Sequence, residues 1–259
     1  MQLKDFYRIG RVKISITDED DAINRMKNFI RNGVTGYICV SNLRTVVIAN
    51  KDDAYQEVME HSLMNLPDGT PLVWCGHWWG LKEVERACGP HIFPRLLKEK
   101  EIELRHFFLG DADEILDKVT RKAEIEFGAT VVGSYSPPFK PLDEYDIEGI
   151  AKMINESGAN IVWTALRAPK QDNLNSMLVP YLNDGIVLVG VGAAFRSVLG
   201  LLKQPDGFIQ KIGLAGLIFR RPGRTWWQVI EWYCKHMIYL AKYYVTIRWK
   251  KTMKYNYWE

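Results

Sequence analysis

The chain has 259 residues, a mass of 29.9 kDa, 47% hydrophobic and 25% charged residues, and a formal net charge of +3. That size and composition suit one large α/β domain, or a domain with an appendage, and exclude a disordered or fibrous chain. Four cysteines, Cys39, Cys75, Cys88 and Cys234, form no CxxC or Cys/His pattern, which argues against a disulfide scaffold or zinc finger and for a reducing compartment. The longest uncharged apolar run, Ile186 to Phe195, is about half a membrane span, and the N-terminus lacks a signal peptide's apolar centre. A soluble or peripheral intracellular protein is expected.

In chain order, apolar runs alternate with amphipathic stretches, which predicts a mostly parallel open sheet flanked by helices. Strands are predicted at Gly36–Ser41, His106–Gly110, Thr130–Ser134, Ile161–Leu166 and Ile186–Gly190, and helices at Ala54–Met64, Ile115–Phe127 and Tyr145–Ser157. The β-branched Thr45–Ala49 reads as a further strand. In such a sheet, ligands bind at the carboxyl ends of the strands.

The pattern changes after residue 202. Residues 203–259 hold 11 Lys/Arg against three acids, together with 13 aromatics, so a net +8 tail follows a net −5 body. Trp227, Ile230, Cys234, Met237, Ala241 and Tyr244 recur at helical spacing and predict one apolar stripe on a helix of about five turns. Residues 1–202 are read as the core and 203–259 as a helical appendage. The tail admits three readings: nucleic-acid binding through stacked aromatics, a core helix with a solvated face, or a helix at a membrane surface.

Several segments carry candidate chemistry. Asp68, in NLPDGTPLVW, is either a turn residue or a general base on a loop beside the sheet. Arg167, Lys170 and Gln171 follow a strand, where donors suit a phosphate or a sugar hydroxyl, or simply water. Gly190 and Gly192 permit close approach of a ligand, or close strand–helix packing, and lack the third glycine of a dinucleotide fingerprint. Asp111 and Asp113 form an Asp-x-Asp, read as a helix start with Asp111 as N-cap in preference to a metal site. No zinc ligand spacing, Walker loop or Gly-x-Ser-x-Gly elbow is present.

Seven motifs in order resemble the WecG/TagA/CpsF family of bacterial glycosyltransferases over about residues 20 to 240. They are Ser41–Asn42, LPDGTPLVW around Asp68, ERACGP at Glu85–Pro90, FFLGD at Phe107–Asp111, VVGSYSPPF at Val131–Phe139, APKQD at Ala168–Asp172 and GVGAAF at Gly190–Phe195. The resemblance implies a Rossmann-like core and inverting, metal-independent transfer of a hexose or N-acetylhexosamine. It implies a nucleotide donor, typically UDP-linked, and an acceptor sugar on a polyprenyl diphosphate at the inner face of the cell membrane. The products feed surface polysaccharides, and neither a cofactor nor a nucleic-acid partner is implied.

By resemblance Asp68 is the base, and Arg86, Gln171 and Lys170 hold the donor. Ser41, Asn42, Gly110, Asp111, Ser134 and Gly192 line the substrate site, and Arg220, Arg221 and Arg224 supply cations from the tail. The chain departs from the family at Arg167, where a glycine is usual, at Asp172, usually Glu, and at His91, often Asp. The alternatives are a polyanion- or nucleic-acid-binding module using the tail, and a non-catalytic scaffold of the family.

Overall fold

The structure is a computed structural model that describes residues 5–202 and 225–253. A six-stranded, all-parallel sheet of order β4-β3-β8-β7-β5-β6 forms its centre. The strands are β3 (Gly36–Ser41), β4 (Met64–Pro67), β5 (Arg105–Leu109), β6 (Thr130–Tyr135), β7 (Ile161–Thr164) and β8 (Val187–Gly190). Every residue of β3, β4, β7 and β8 is buried, as expected for parallel strands covered on both faces. The short hairpin β1 (Phe6–Ile9) and β2 (Val12–Ser15) stands apart as its own antiparallel pair.

One face of the sheet carries α1 (Glu19–Arg31), α5 (Gly89–Leu97), α6 (Asp113–Phe127) and α9 (Ala194–Val198) over an aromatic core. There the Phe93 ring lies 5.0 Å from Trp163, 5.2 Å from Phe195 and 5.7 Å from Phe108. The other face packs α7 (Ile147–Ser157) and α8 (Lys170–Leu178) on Tyr37, Cys39, Leu109 and Leu188. A third cluster joins the hairpin to α2 (Leu43–Ala49), α3 (Asp53–His61) and α4 (Thr70–Trp79).

Most predicted elements appear within a few residues of their expected ends. Thr45–Ala49 is a correction, because it lies in helix α2. Asn42 caps that helix, accepting from Arg44 N at 3.0 Å and Thr45 N at 3.3 Å, while Thr45 Oγ1 accepts from the Asn42 N–H at 3.0 Å. This reciprocal cap, worth about 1 kcal/mol, together with burial of Val46 and Ala49, outweighs the weak β preference of Val and Ile.

The tail helix α10 (Trp226–Thr252) packs on α4 and α2 through a face that overlaps the predicted stripe only at Met237 and Tyr244. Among the described side chains Val229, Leu240 and Ile247 are buried, whereas Trp227, Ile230, Cys234, Ala241 and Tyr244 of the expected stripe are exposed. The helix is apolar on more than one face, so periodicity alone did not identify the packed one. Trp78 meets Tyr244 edge to face at 4.9 Å. Trp79 Nε1 donates to the Tyr243 hydroxyl at 3.1 Å, and that hydroxyl donates to the Arg8 carbonyl. No helix among the described residues is long and apolar enough to cross a membrane.

Candidate active site

The parallel register aligns the strand ends in one row, Cys39 beside Gly190, Gly190 beside Thr164, Thr164 beside Leu109 and Leu109 beside Tyr135. Loops leaving that row therefore share one edge of the sheet, where an open α/β sheet binds ligands. Ser41, Asn42, Asp68, Gly110, Asp111, Gln171 and Gly192 all lie along it.

Asp68 follows β4 directly. Its N–H donates to the Ser41 carbonyl at 2.8 Å, and Ala87 N–H donates to the Pro67 carbonyl at 3.1 Å. These bonds bring the ends of β3 and β4 together with the ERACGP segment. Arg86 Nε donates to the Asp68 carbonyl at 2.6 Å, and its Nη2 stands 3.7 Å from the carboxylate Oδ1. The Asp68 side chain keeps about a quarter of its surface exposed, at 27%. Desolvation nevertheless raises its pKa above the ordinary carboxylate range, against the opposing charges of Arg86 and His91. An accessible carboxylate with raised basicity, fixed on a loop, can accept a proton from an incoming hydroxyl. Beside it, the Ser41 hydroxyl is buried with no hydrogen-bond partner among the described residues.

A second group centres on Gln171. Its Oε1 accepts from Gly192 N–H at 3.0 Å, joining α8 to the turn after β8. A Cβ on Gly190 would come within 2.7 Å of Gln171 Nε2 and 2.8 Å of Asp172 Oδ1. Close packing by these two side chains, rather than by a ligand, thus requires a glycine there. Asp172 is fully buried, accepts from the Tyr55 hydroxyl at 2.6 Å, and has its pKa pushed up to about 7 by that burial.

A third group surrounds Asp111, which is not the N-cap of α6. Ala112 holds that position with no side-chain cap. Asp111 instead adopts a left-handed φ of +66° and pairs with Arg196, whose Nη2 and Nε donate to its two carboxylate oxygens at 2.6 and 2.8 Å. Asp111 Oδ1 also accepts from the Ala112 N–H at 2.9 Å, so the carboxylate serves the backbone before α6 and none of the helix's own N–H groups. Ser136 Oγ donates to the Asp111 carbonyl at 2.7 Å. Among the described residues no three His, Cys, Asp or Glu side chains gather to hold a metal.

The remaining expected residues are dispersed. The Lys170 ammonium is drawn to the Lys140 carbonyl and lies 4.5 Å over the Tyr145 ring. Ser134 is exposed within edge strand β6, before the strand end. Arg220, Arg221 and Arg224 lie outside the described residues. Arg167 has a left-handed φ of +64°, a conformation natural to glycine. Sequence reading missed Tyr55, Arg196, Ser136 and Arg44, whose Nη1 donates to the Ala168 carbonyl at 3.1 Å. Arg196 adjoins the GVGAAF motif, a local signal, whereas Tyr55 reaches Asp172 across 117 positions.

The chain is 23% identical over 250 residues to the N-acetylglucosaminyldiphosphoundecaprenol N-acetyl-beta-D-mannosaminyltransferase of Bacillus subtilis (strain 168), covering 95% of this chain and 91% of that protein. The model of the glycosyl transferase WecG/TagA/CpsF family matches residues 7–251. With a parallel sheet that presents an accessible carboxylate among polar strand-end loops, the chain belongs to this family of glycosyltransferases.

Proposed function

We propose that the protein transfers a hexose or N-acetylhexosamine, with inversion and without a metal, from a nucleotide donor of the UDP-sugar class. The acceptor is a sugar on a polyprenyl diphosphate, in surface polysaccharide synthesis at the inner membrane face. The observation that carries this reading is Asp68, an accessible carboxylate of raised pKa fixed at the sheet edge by Ser41 and Arg86. Asp68 takes the proton of the acceptor hydroxyl as the oxygen attacks the anomeric carbon. The bond to the donor diphosphate breaks on the opposite face. Arg86, near the carboxylate, keeps it ionised and offers positive charge to the departing diphosphate. Ser41, Asn42, Gly110, Gln171 and Gly192 line the donor side, and Arg220, Arg221 and Arg224 add cations from the appendage.

The lipid acceptor gives α10 a role in this reading. Opposite its packed stripe, Trp227 is 81% exposed, Val245 65%, Trp249 57% and Ile238 56%, with exposed Lys235, Lys242 and Arg248 among them. Exposed aromatics mixed with Lys and Arg suit the interface of an anionic bilayer. Residues 203–259 act as a membrane-docking appendage to a catalytic body of residues 1–202. The helix rests on Trp78 and Trp79 of α4, and α4 begins two residues after Asp68. Incubation with UDP-sugars and polyprenyl-diphosphate sugars tests the reading. Release of UDP with formation of an inverted glycoside supports it, and absence of transfer across the panel sinks it.

A further inference from the structure

Two carboxylates at the loop ends of the strand row face a guanidinium, Asp68 that of Arg86 and Asp111 that of Arg196. Two further guanidiniums reach the same edge without a carboxylate. Arg44 stands in the first turn of α2, just after β3, and Arg167 follows β7. Neither makes an ion pair with any described residue. Arg44 is half-buried, and its Nη1 donates to the carbonyl of Ala168, the residue next to Arg167. Strands β3 and β7 flank β8, so their ends stand about 10 Å apart. The Arg44–Ala168 hydrogen bond therefore spans the end of β8 and brings the Arg44 guanidinium to the residue next to Arg167.

The backbone at Arg167 is the second observation. Asp111 and Arg167 are the two described non-glycine residues with positive φ, and they follow the adjacent strands β5 and β7. A side chain holds that conformation at a cost glycine avoids, and such strain concentrates at functional sites. For Asp111 the bidentate Arg196 pair explains the geometry. Arg167 makes no such contact, and its side chain is exposed. The neighbouring cation Lys170 is engaged with Lys140 and Tyr145, and Gln171 with Gly192, so Arg167 is the exposed cation of this loop.

We infer that Arg44 and Arg167 form a two-guanidinium clamp for a diphosphate at the mouth of β8. A guanidinium presents a planar fork of donors to phosphate oxygens, and two forks match a diphosphate's separated charges. The identity of the diphosphate rests on the glycosyltransferase reading, under which it belongs either to the nucleotide donor or to the prenyl acceptor.

The test is calorimetric titration of the full-length protein with UDP and, separately, with farnesyl diphosphate as a soluble prenyl diphosphate. The variants are R44Q, R167G and their double mutant, with R44K as the charge-retaining control. R167G suits the positive φ, so it melts at or above the wild-type temperature while removing the cation. Each single loss weakens one diphosphate about 10-fold or more and flattens its salt dependence, with R44K intermediate. The ligand that loses affinity identifies the source. Folded R44Q and R167G that bind both ligands as the wild type does would overturn the clamp, as would a wild type that binds neither. Variant-sensitive binding without transfer from any donor would sink the transferase reading alone. Active transfer with variant-insensitive binding would sink the clamp alone.

Discussion

Arg86 bonds the backbone carbonyl of Asp68 at 2.6 Å and pairs with its carboxylate at 3.7 Å, so one side chain both fixes the loop and faces the base with a positive charge. Asp68→Asn keeps the shape and removes the proton acceptor, and turnover is expected to fall at least about 10²-fold with the melting temperature little changed. Near-wild-type turnover would remove Asp68 from the mechanism. Because its pKa lies above the ordinary value, the acid limb of kcat/KM is set at correspondingly higher pH, activity being lost as pH falls through it. Arg86→Gln withdraws the opposing charge, which moves that limb higher still. An unmoved limb would show that another group titrates.

Asp172 couples folding to pH. Its folded pKa of about 7 exceeds the unfolded value near 4, so the native state holds the proton more tightly. Stability from this group is present at low pH and is lost as pH rises from about 4 through 7, by an order of a few kcal/mol. Asp172→Asn keeps a partner for Tyr55 and abolishes the dependence. The melting difference between variant and wild type therefore shifts in the variant's favour from pH 5 to pH 8. A pH-independent difference would show that Asp172 does not change protonation on folding.

The start of α6 separates two roles. Asp111→Ala removes the Arg196 pair, and Arg196 is 40% exposed, so the loss is expected at about 1 kcal/mol after solvent screening. Ala112→Ser supplies the cap that the helix lacks and adds about 1 kcal/mol. Equal melting temperatures for Ala112→Ser and wild type would contradict the assignment of Ala112 as the N-cap.

The two faces of α10 predict opposite phenotypes. Replacing Trp227, Ile238, Val245 and Trp249 by Ser leaves the melting temperature near wild type and abolishes sedimentation with anionic vesicles. Leu240→Ser, in the packed stripe, costs several kcal/mol instead. Removing the whole helix uncovers the hairpin, α2 and α4, so the truncated body is expected to lose stability as well as membrane binding. Vesicle binding by the four-serine variant at wild-type strength would place docking elsewhere.

Local patterns reached most of the sheet, because buried parallel strands are short apolar runs bounded by turns, as in β3, β5, β7 and β8, and edge strand β6 is β-branched. Ordered motifs likewise pointed to Asp68, Arg86 and Gln171, which the fold brings to the strand-end edge on two loops and in the first turn of α8. Three features required the tertiary structure. Thr45–Ala49 became helical because Asn42 caps it and the second cluster buries one side. The packed face of α10 was settled by the Trp78–Tyr244 and Trp79–Tyr243 contacts, which no periodicity within the helix encodes. Asp111 left its expected cap because Arg196, 85 positions away, binds its carboxylate. Periodicity and propensity report what a segment prefers alone; packing and charge partners distant in sequence decide which of its faces, and which of its side-chain bonds, are realised.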